Sequence, residues 1–307
     1  YTQVPSITGY PVYLGDLDTL LEPFADGVDD DHLHASMRRF WLALDRMLPD
    51  GFVHANLGPR DSRVARAAFH IDRELTQIVP NLTLKVAPDT PDALVLEGIE
   101  TVFRTGKPHF VNHPMMVDDL GERYGVVSCY NSLKVGGGSH TLTRLNLKEV
   151  AVRHTGSVDD FLADTLLRYA ELNAELIEAR IRFLVDEARW FEHDFLATEG
   201  MVSLDRFSAM YGVFGMAEAV DHLMELEGRS ARYGHDPVAN DAAVRITEAL
   251  RRFVDERPLP YCEGGDGRAF LHSQSGIDSD VGVSAGVRIP IGTEPGLYEH
   301  IATVAPT

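Results

Sequence analysis

The chain has 307 residues, 44% of them hydrophobic, and a formal charge of −19 with histidine neutral. So acidic a surface repels nucleic acid and anionic membrane alike, and no apolar run of about 18 residues and no charged-then-apolar leader is present. Two cysteines, Cys129 and Cys262, build neither a disulfide framework nor a four-cysteine zinc site, which points to a reducing cytoplasm. The sequence opens at Tyr1 directly in patterned sequence and reads as an internal piece of something longer.

PVYLG (11–15) is predicted as a strand. DDDHLHASMRRFWLALDRML (29–48) is predicted as a helix, the run Asp29 to Asp31 serving as its acidic, solvated N-terminus. FVHANLG (52–58) reads as a second strand, and Asp61 or Ser62 caps the helix that follows. LTLKVAP (82–88) leads to PDALVLEGIETVFRTG, with Pro91 near the helix start and Gly106 at its end. HFVN (109–112) and GVVSCY (125–130) complete an alternation of strands and helices that predicts parallel pairing. From 157 to 195 apolar residues recur at helical spacing without Gly or Pro, as in one helix of roughly ten turns. YGVFGMAEAVDHLMELEG (211–228) reads as strand, tight turn and helix, and 236–256 as a further helix. The tail from Arg268 is short and β-prone, split by Gly and Pro. No repeat or linker divides the chain, so one α/β unit is the simplest reading.

Chemistry concentrates in VVSCYNSLKVGGGSHTLTRLNL (126–147). Gly136, Gly137 and Gly138 match neither GxxxxGK[ST] nor a GxGxxG turn opening a helix. Nucleotide-phosphate binding there is a third-rank reading, behind an unusual turn after the cysteine strand. Taken alone, Cys129 reads as a small buried hydrophobe. Cys262, in PLPYCEGGDG, reads as a partly exposed loop thiol. The histidines show no HEXXH or other metal-ligand spacing, so no metal is expected. His109 and His113 flank a strand end, and His54 ends a strand where it would face a barrel mouth. Glu218, at a helix start, and His272, on a strand, are weaker pocket candidates.

Three segments together, PSITGYPVYLGDLDTLLEPF (5–24), SCYNSLKVGGGSHTLTRLNL (128–147) and YGVFGMAEAVDHLMEL (211–226), resemble the glycyl radical enzymes, and within them the uncharacterised YjjI-type branch. The cysteine segment carries most of that likeness. The resemblance implies an α/β barrel of two parallel five-stranded half-barrels, with a finger loop holding the cysteine inside. Mapped onto this chain, the first half covers about 1–130, the finger loop about 128–140, a long helix about 158–195 and the second half about 205–307. It further implies that Cys129 becomes a thiyl radical that abstracts hydrogen from a small polar metabolite, with Asn131, His54, His113, Glu218 and His272 as pocket candidates. Gly136 to Gly138 would form the finger-loop turn. The partner so implied is a radical S-adenosylmethionine-dependent activating enzyme, and a homodimer is compatible with the resemblance.

Two departures from the family pattern stand out. The eliminases of the family resemble Cys-x-Glu at this point, whereas the residue two after Cys129 is Asn131, which cannot serve as a base. The adjacent cysteines of pyruvate formate-lyase are absent as well. No Arg-x-x-Gly-Tyr sequence occurs in the 307 residues, and Gly9-Tyr10 reads as an ordinary turn. The expectation is therefore a catalytic-core fragment, inactive alone, that lacks the N-terminal part and the radical-glycine loop. The alternative is a small-molecule-binding barrel without radical chemistry.

Overall fold

The computed structural model describes residues 12–46, 53–127, 131–274 and 282–307. The chain divides into two compact units, residues 1–135 and 136–307.

In the first unit, β1 (Val12–Asp16), β2 (Val53–Leu57), β3 (Asn81–Val86) and β4 (His109–Asn112) form one parallel sheet in chain order. The helices α1 (Leu17–Ala25), α2 (Asp30–Arg46), α3 (Arg63–Leu75) and α4 (Asp92–Thr105) intervene. α3 starts where Ser62 Oγ accepts the Ala65 N–H at 3.0 Å, and α4 ends at Gly106, both as the sequence predicts. Ala55, Leu57, Leu82 and Leu84 turn one face of the sheet onto Trp41, Phe69 and Leu94. These large side chains leave water entirely, and burying one stabilises the fold by about 1.5–3 kcal/mol. The acidic run opens α2 as expected, with Asp29 Oδ1 accepting the His32 N–H.

Beyond β4 the expectation of parallel pairing fails. A short helix, α5 (His113–Leu120), intervenes, and β5 (Tyr124–Val127) pairs antiparallel with β6 (Asn131–Lys134) as a hairpin. Too few residues separate β5 from β6 for a crossover connection, which needs a dozen or more.

The second unit holds the parallel sheet β7 (Gly138–Asn146), β8 (Phe207–Phe214) and β9 (Ala269–Ser273). Leu145, Ala209, Tyr211, Val213 and Ala269 face a helical layer of α6 (Leu166–Arg182), α7 (Met216–Leu226) and α8 (Pro237–Glu256). Tyr211 ties sheet to helix by donating to the Ala170 carbonyl at 3.0 Å. The predicted long helix is shorter and less regular than the spacing implies. π-helical turns at Phe161–Thr165 and Phe183–Glu187 flank α6, and Arg189 at φ 50° ends the run. The last buried residue on that helix is Ile181. A helix propagates while a face is packed, and this one stops once its packed face is gone. The tail also departs from expectation, ending in a helix, α9 (Leu297–Val304).

Cys262 is fully buried in the core of the second unit, not a partly exposed loop thiol. Its carbonyl accepts from the Gly265 and Gly267 N–H groups, a tight turn immediately after the buried side chain. Burial, with Glu263 adding to it, pushes the thiol up to about 12. It stays protonated and behaves as a small hydrophobe.

Candidate active site

The four-stranded sheet keeps its helices on one face, and its other face is polar. Period-two alternation places His54 and Asn56 of β2, Asn81, Thr83 and Lys85 of β3, and His109 of β4 together there, with Tyr13 beside His54. Parallel strands covered on both faces ordinarily read as near-continuous apolar runs. Here Asn56 is 0% exposed and Lys85 1%, so the polar groups must satisfy one another.

They do so through a network that reaches the hairpin. Lys85 Nζ lies 2.6 Å from Asp16 Oδ1, 3.5 Å from the Tyr124 carbonyl and 4.2 Å from the centre of the Tyr124 ring. The Tyr13 hydroxyl donates toward Asp16 at 3.3 Å and Asn56 Oδ1 at 3.2 Å. Asn56 in turn accepts the Val126 N–H at 2.9 Å and donates to the Val126 carbonyl at 3.1 Å. His113, the first residue of α5, sets Nδ1 3.0 Å from the Tyr124 hydroxyl, with the rings stacked. Burial, reinforced by Asp16, holds both tyrosines above the usual phenol range, so each keeps its proton at neutral pH.

His54 and His113 therefore both belong to the first unit, and His113 joins the network. Burial, helped by His109, pushes the His54 imidazole down to about 4. Between pH 4 and the ordinary histidine value near 6.5 the folded state binds fewer protons than the unfolded one. Stability is thus fully present above about pH 6.5 and is lost as the pH falls toward 4, by about 3 kcal/mol in all. Urea titrations at pH 7 and pH 5 should show this loss in the wild type and a smaller one in His54→Gln. Equal losses in the two proteins would refute the assignment.

Cys129 lies outside the described residues, as do Ser128 and Tyr130. The ladder pairs Val127 with Asn131, so the hairpin strands bracket this three-residue stretch. Asn131 is the first residue of β6.

The other candidates lie in the second unit. Glu218, in the first turn of α7, accepts from the Ser284 N–H and hydroxyl, each at 2.8 Å, and so holds the 282–286 segment. His272 stands in register with Gly212 of β8 and Arg144 of β7, on the face away from the helices. Its Nε2 is buried without a hydrogen-bond partner. Burial keeps this imidazole below its ordinary value, while the Gln274 side chain opposes that shift.

Gly136 to Gly138 lead into strand β7 and not into a helix, so the N-terminal amides that seat phosphates are missing. A Cβ on Gly137 would sit 2.1 Å from the Arg206 carbonyl oxygen. Close packing on the Arg206 backbone accounts for glycine at position 137 without a ligand. Among the described residues no group of three or more His, Cys, Asp or Glu could hold a metal ion, and no helix is long and apolar enough to cross a membrane.

Asp16, Asn56, Lys85, Tyr13 and Tyr124 escape a reading that looks for motifs. Their signal is the alternation in VHANL and LTLKV, which puts polar residues on one face of strands expected to be buried.

Solved structures share this fold at low identity. The glycerol-bound B12-independent glycerol dehydratase of Clostridium butyricum aligns with a TM-score of 0.66 and 12% identity over 86% of this chain and 46% of its own. The anaerobic ribonucleotide reductase of Thermotoga maritima with dATP in its specificity site gives 0.68 and 12% over 91% and 54%. Hydroxyproline dehydratase of Clostridioides difficile, with trans-4-hydroxy-L-proline bound, gives 0.66 and 14% over 84% and 45%. The fold is the α/β fold of the glycyl radical enzyme barrels. Residues 1–307 match the YjjI-like glycyl radical enzymes throughout, and the chain belongs to that family. It is 46% identical to the uncharacterized protein YjjI of Escherichia coli strain K12 and 35% identical to an uncharacterized protein of Haemophilus influenzae. All of this chain is matched in both, but it spans only 59% and 60% of their lengths.

Proposed function

We propose that this chain is the catalytic core of a glycyl radical enzyme in which Cys129 carries the hydrogen atom. The observation that carries this reading is the β5–β6 hairpin, which brackets residues 128–130 and is anchored on the polar face of a parallel sheet. A buried polar lining is costly to stability and suits a site that must hold a small polar molecule away from water. In this reading His54 and His113 of the first unit and His272 of the second are substrate-pocket candidates. Glu218 steadies the wall segment at Ser284.

A radical on a backbone glycine, in a motif these 307 residues do not contain, supplies an acceptor whose bond to hydrogen is close in strength to S–H. Cys129 gives up its S–H hydrogen atom and becomes a thiyl. The thiyl takes a hydrogen atom from a substrate C–H, restoring S–H and leaving the radical on carbon. The reverse transfer closes the cycle after rearrangement or cleavage. Asn131 offers a carboxamide where the eliminases have a base, so proton uptake at that position is not part of the scheme. The small polar molecules bound by hydroxyproline dehydratase and glycerol dehydratase support a substrate of that class. Activation requires a radical S-adenosylmethionine enzyme as partner.

Full-length protein, activated anaerobically, should show the electron paramagnetic resonance doublet of a glycyl radical coupled to its one α-hydrogen. In D2O the doublet should collapse, because the Cys129 thiol exchanges with solvent and returns deuterium to the glycine. A protein that acquires no radical under conditions that activate another member of the family would be a binding barrel instead.

A further inference from the structure

A hairpin that presents a hydrogen-carrying thiol has to be held in one register. Two strands alone are marginally stable in water. A slip by one residue moves the tip about 3.4 Å and turns every side chain to the other face. Two features of the first unit oppose that slip. Asn56 is wholly buried, and its carboxamide makes the pair of hydrogen bonds to Val126 that a neighbouring strand's backbone would make. Its orientation is set from behind, because the Tyr13 hydroxyl also donates to Oδ1, and Tyr13 is tied to the Asp16–Lys85 pair. The second feature is steric. A Cβ on Gly125 would sit 2.5 Å from the Tyr13 ring, so only glycine fits there. Shifting β5 by one residue in either direction would press Tyr124 or Val126 into that ring.

We infer that Asn56 is a positioning residue, the clamp that fixes the register of the β5–β6 hairpin and hence where Cys129 is presented. The inference rests on the reading of Cys129 as the hydrogen carrier, but it can be tested before any radical is made. In unactivated full-length protein, iodoacetamide labelling resolved by peptide mass spectrometry follows Cys129 beside Cys262, whose burial reports folding of the second unit, while urea unfolding followed by tryptophan emission reports the first through the buried Trp41. Asn56→Leu removes both bonds and should speed labelling of Cys129 at least fivefold while Cys262 stays unlabelled. Asn56→Asp keeps the acceptor but loses the Nδ2 donor, and it should fall between Asn56→Leu and wild type.

Activated samples supply the second readout. The spin count should stay within twofold of wild type in both variants. Collapse of the doublet in D2O should slow by about 10- to 100-fold in Asn56→Leu, since an ångström of misplacement can cost that much in rate. Wild-type labelling and wild-type exchange in Asn56→Leu would overturn the clamp. If Cys262 becomes reactive or the first unit's unfolding transition is lost, Asn56→Leu has lost its fold and Asn56→Asp decides, with wild-type rates there counting equally against the proposal. A wild-type protein that never acquires a radical sinks the catalytic reading, while the labelling result still judges the clamp.

Discussion

Full-length protein carrying Cys129→Ala is expected to accumulate the glycyl radical at the wild-type level and to turn over no substrate. In the proposed mechanism the partner enzyme installs the radical without needing the thiol. The relay does, because a methyl C–H is too strong a bond to give its hydrogen to the radical. The loss should be at least about 10⁴-fold in turnover, some 5.5 kcal/mol of activation barrier at about 1.4 kcal/mol per tenfold. The doublet should also persist in D2O, since no exchangeable thiol remains to carry deuterium. Cys129→Ser sharpens the test. A hydroxyl can replace a thiol, poorly, as a nucleophile, but its O–H bond is too strong for hydrogen-atom relay, so this variant should match alanine. Turnover retained in Cys129→Ala would remove the cysteine from the mechanism.

The largest effect on stability is expected at Lys107. Its ammonium donates to Asp72 Oδ1 and to the Pro80 carbonyl, both at 2.7 Å, and the two side chains are 5% and 0% exposed. Burial pulls the Lys107 amine below its ordinary range, and Asp72 opposes that shift. Lys107→Met leaves the Asp72 carboxylate charged, buried and unpaired, which should cost about 3–5 kcal/mol. Replacing both partners, Lys107→Met with Asp72→Leu, removes the uncompensated charge and should recover most of the loss. Urea unfolding of the single and double variants measures this directly. A single variant within 1 kcal/mol of wild type, on the order of an exposed surface pair, would show that the pair carries no such weight.

Much of the first unit was legible because its elements are local. VYLG, VHANL and LTLKV lie between capped helices, and Ser62 and Gly106 sit where capping physics puts them. The register of β5 was not legible, since a side chain 70 residues away sets it. Cys262 misled for a related reason. Glycines beside a cysteine look like an exposed loop, yet here Gly264 and Gly265 are themselves buried and pack on the β8 backbone and its neighbours. The sequence overextends the long helix because apolar residues continue at helical spacing past Ile181, where no residue is fully buried. Cys129 and Asn131 are candidates through resemblance and His113 through its place just after β4, whereas His54, expected at the end of a strand, stands near the start of β2 because the strand runs on to Leu57. Lys85 and Asp16 were missed because each looks like an ordinary surface charge until the sheet places them side by side.

The two faces of the four-stranded sheet divide the labour of each strand between adjacent residues. Ala55 and Leu57 answer to packing; His54 and Asn56, one step along, answer to the network and the hairpin. Selection acting on such a strand is interleaved. Alternate positions tolerate exchange among aliphatics of similar volume, while those between them tolerate change only when the altered chemistry is itself useful. A lineage could therefore acquire a new substrate by rewriting every second residue of VHANL and LTLKV, leaving the hydrophobic half of each strand, and with it the fold, untouched.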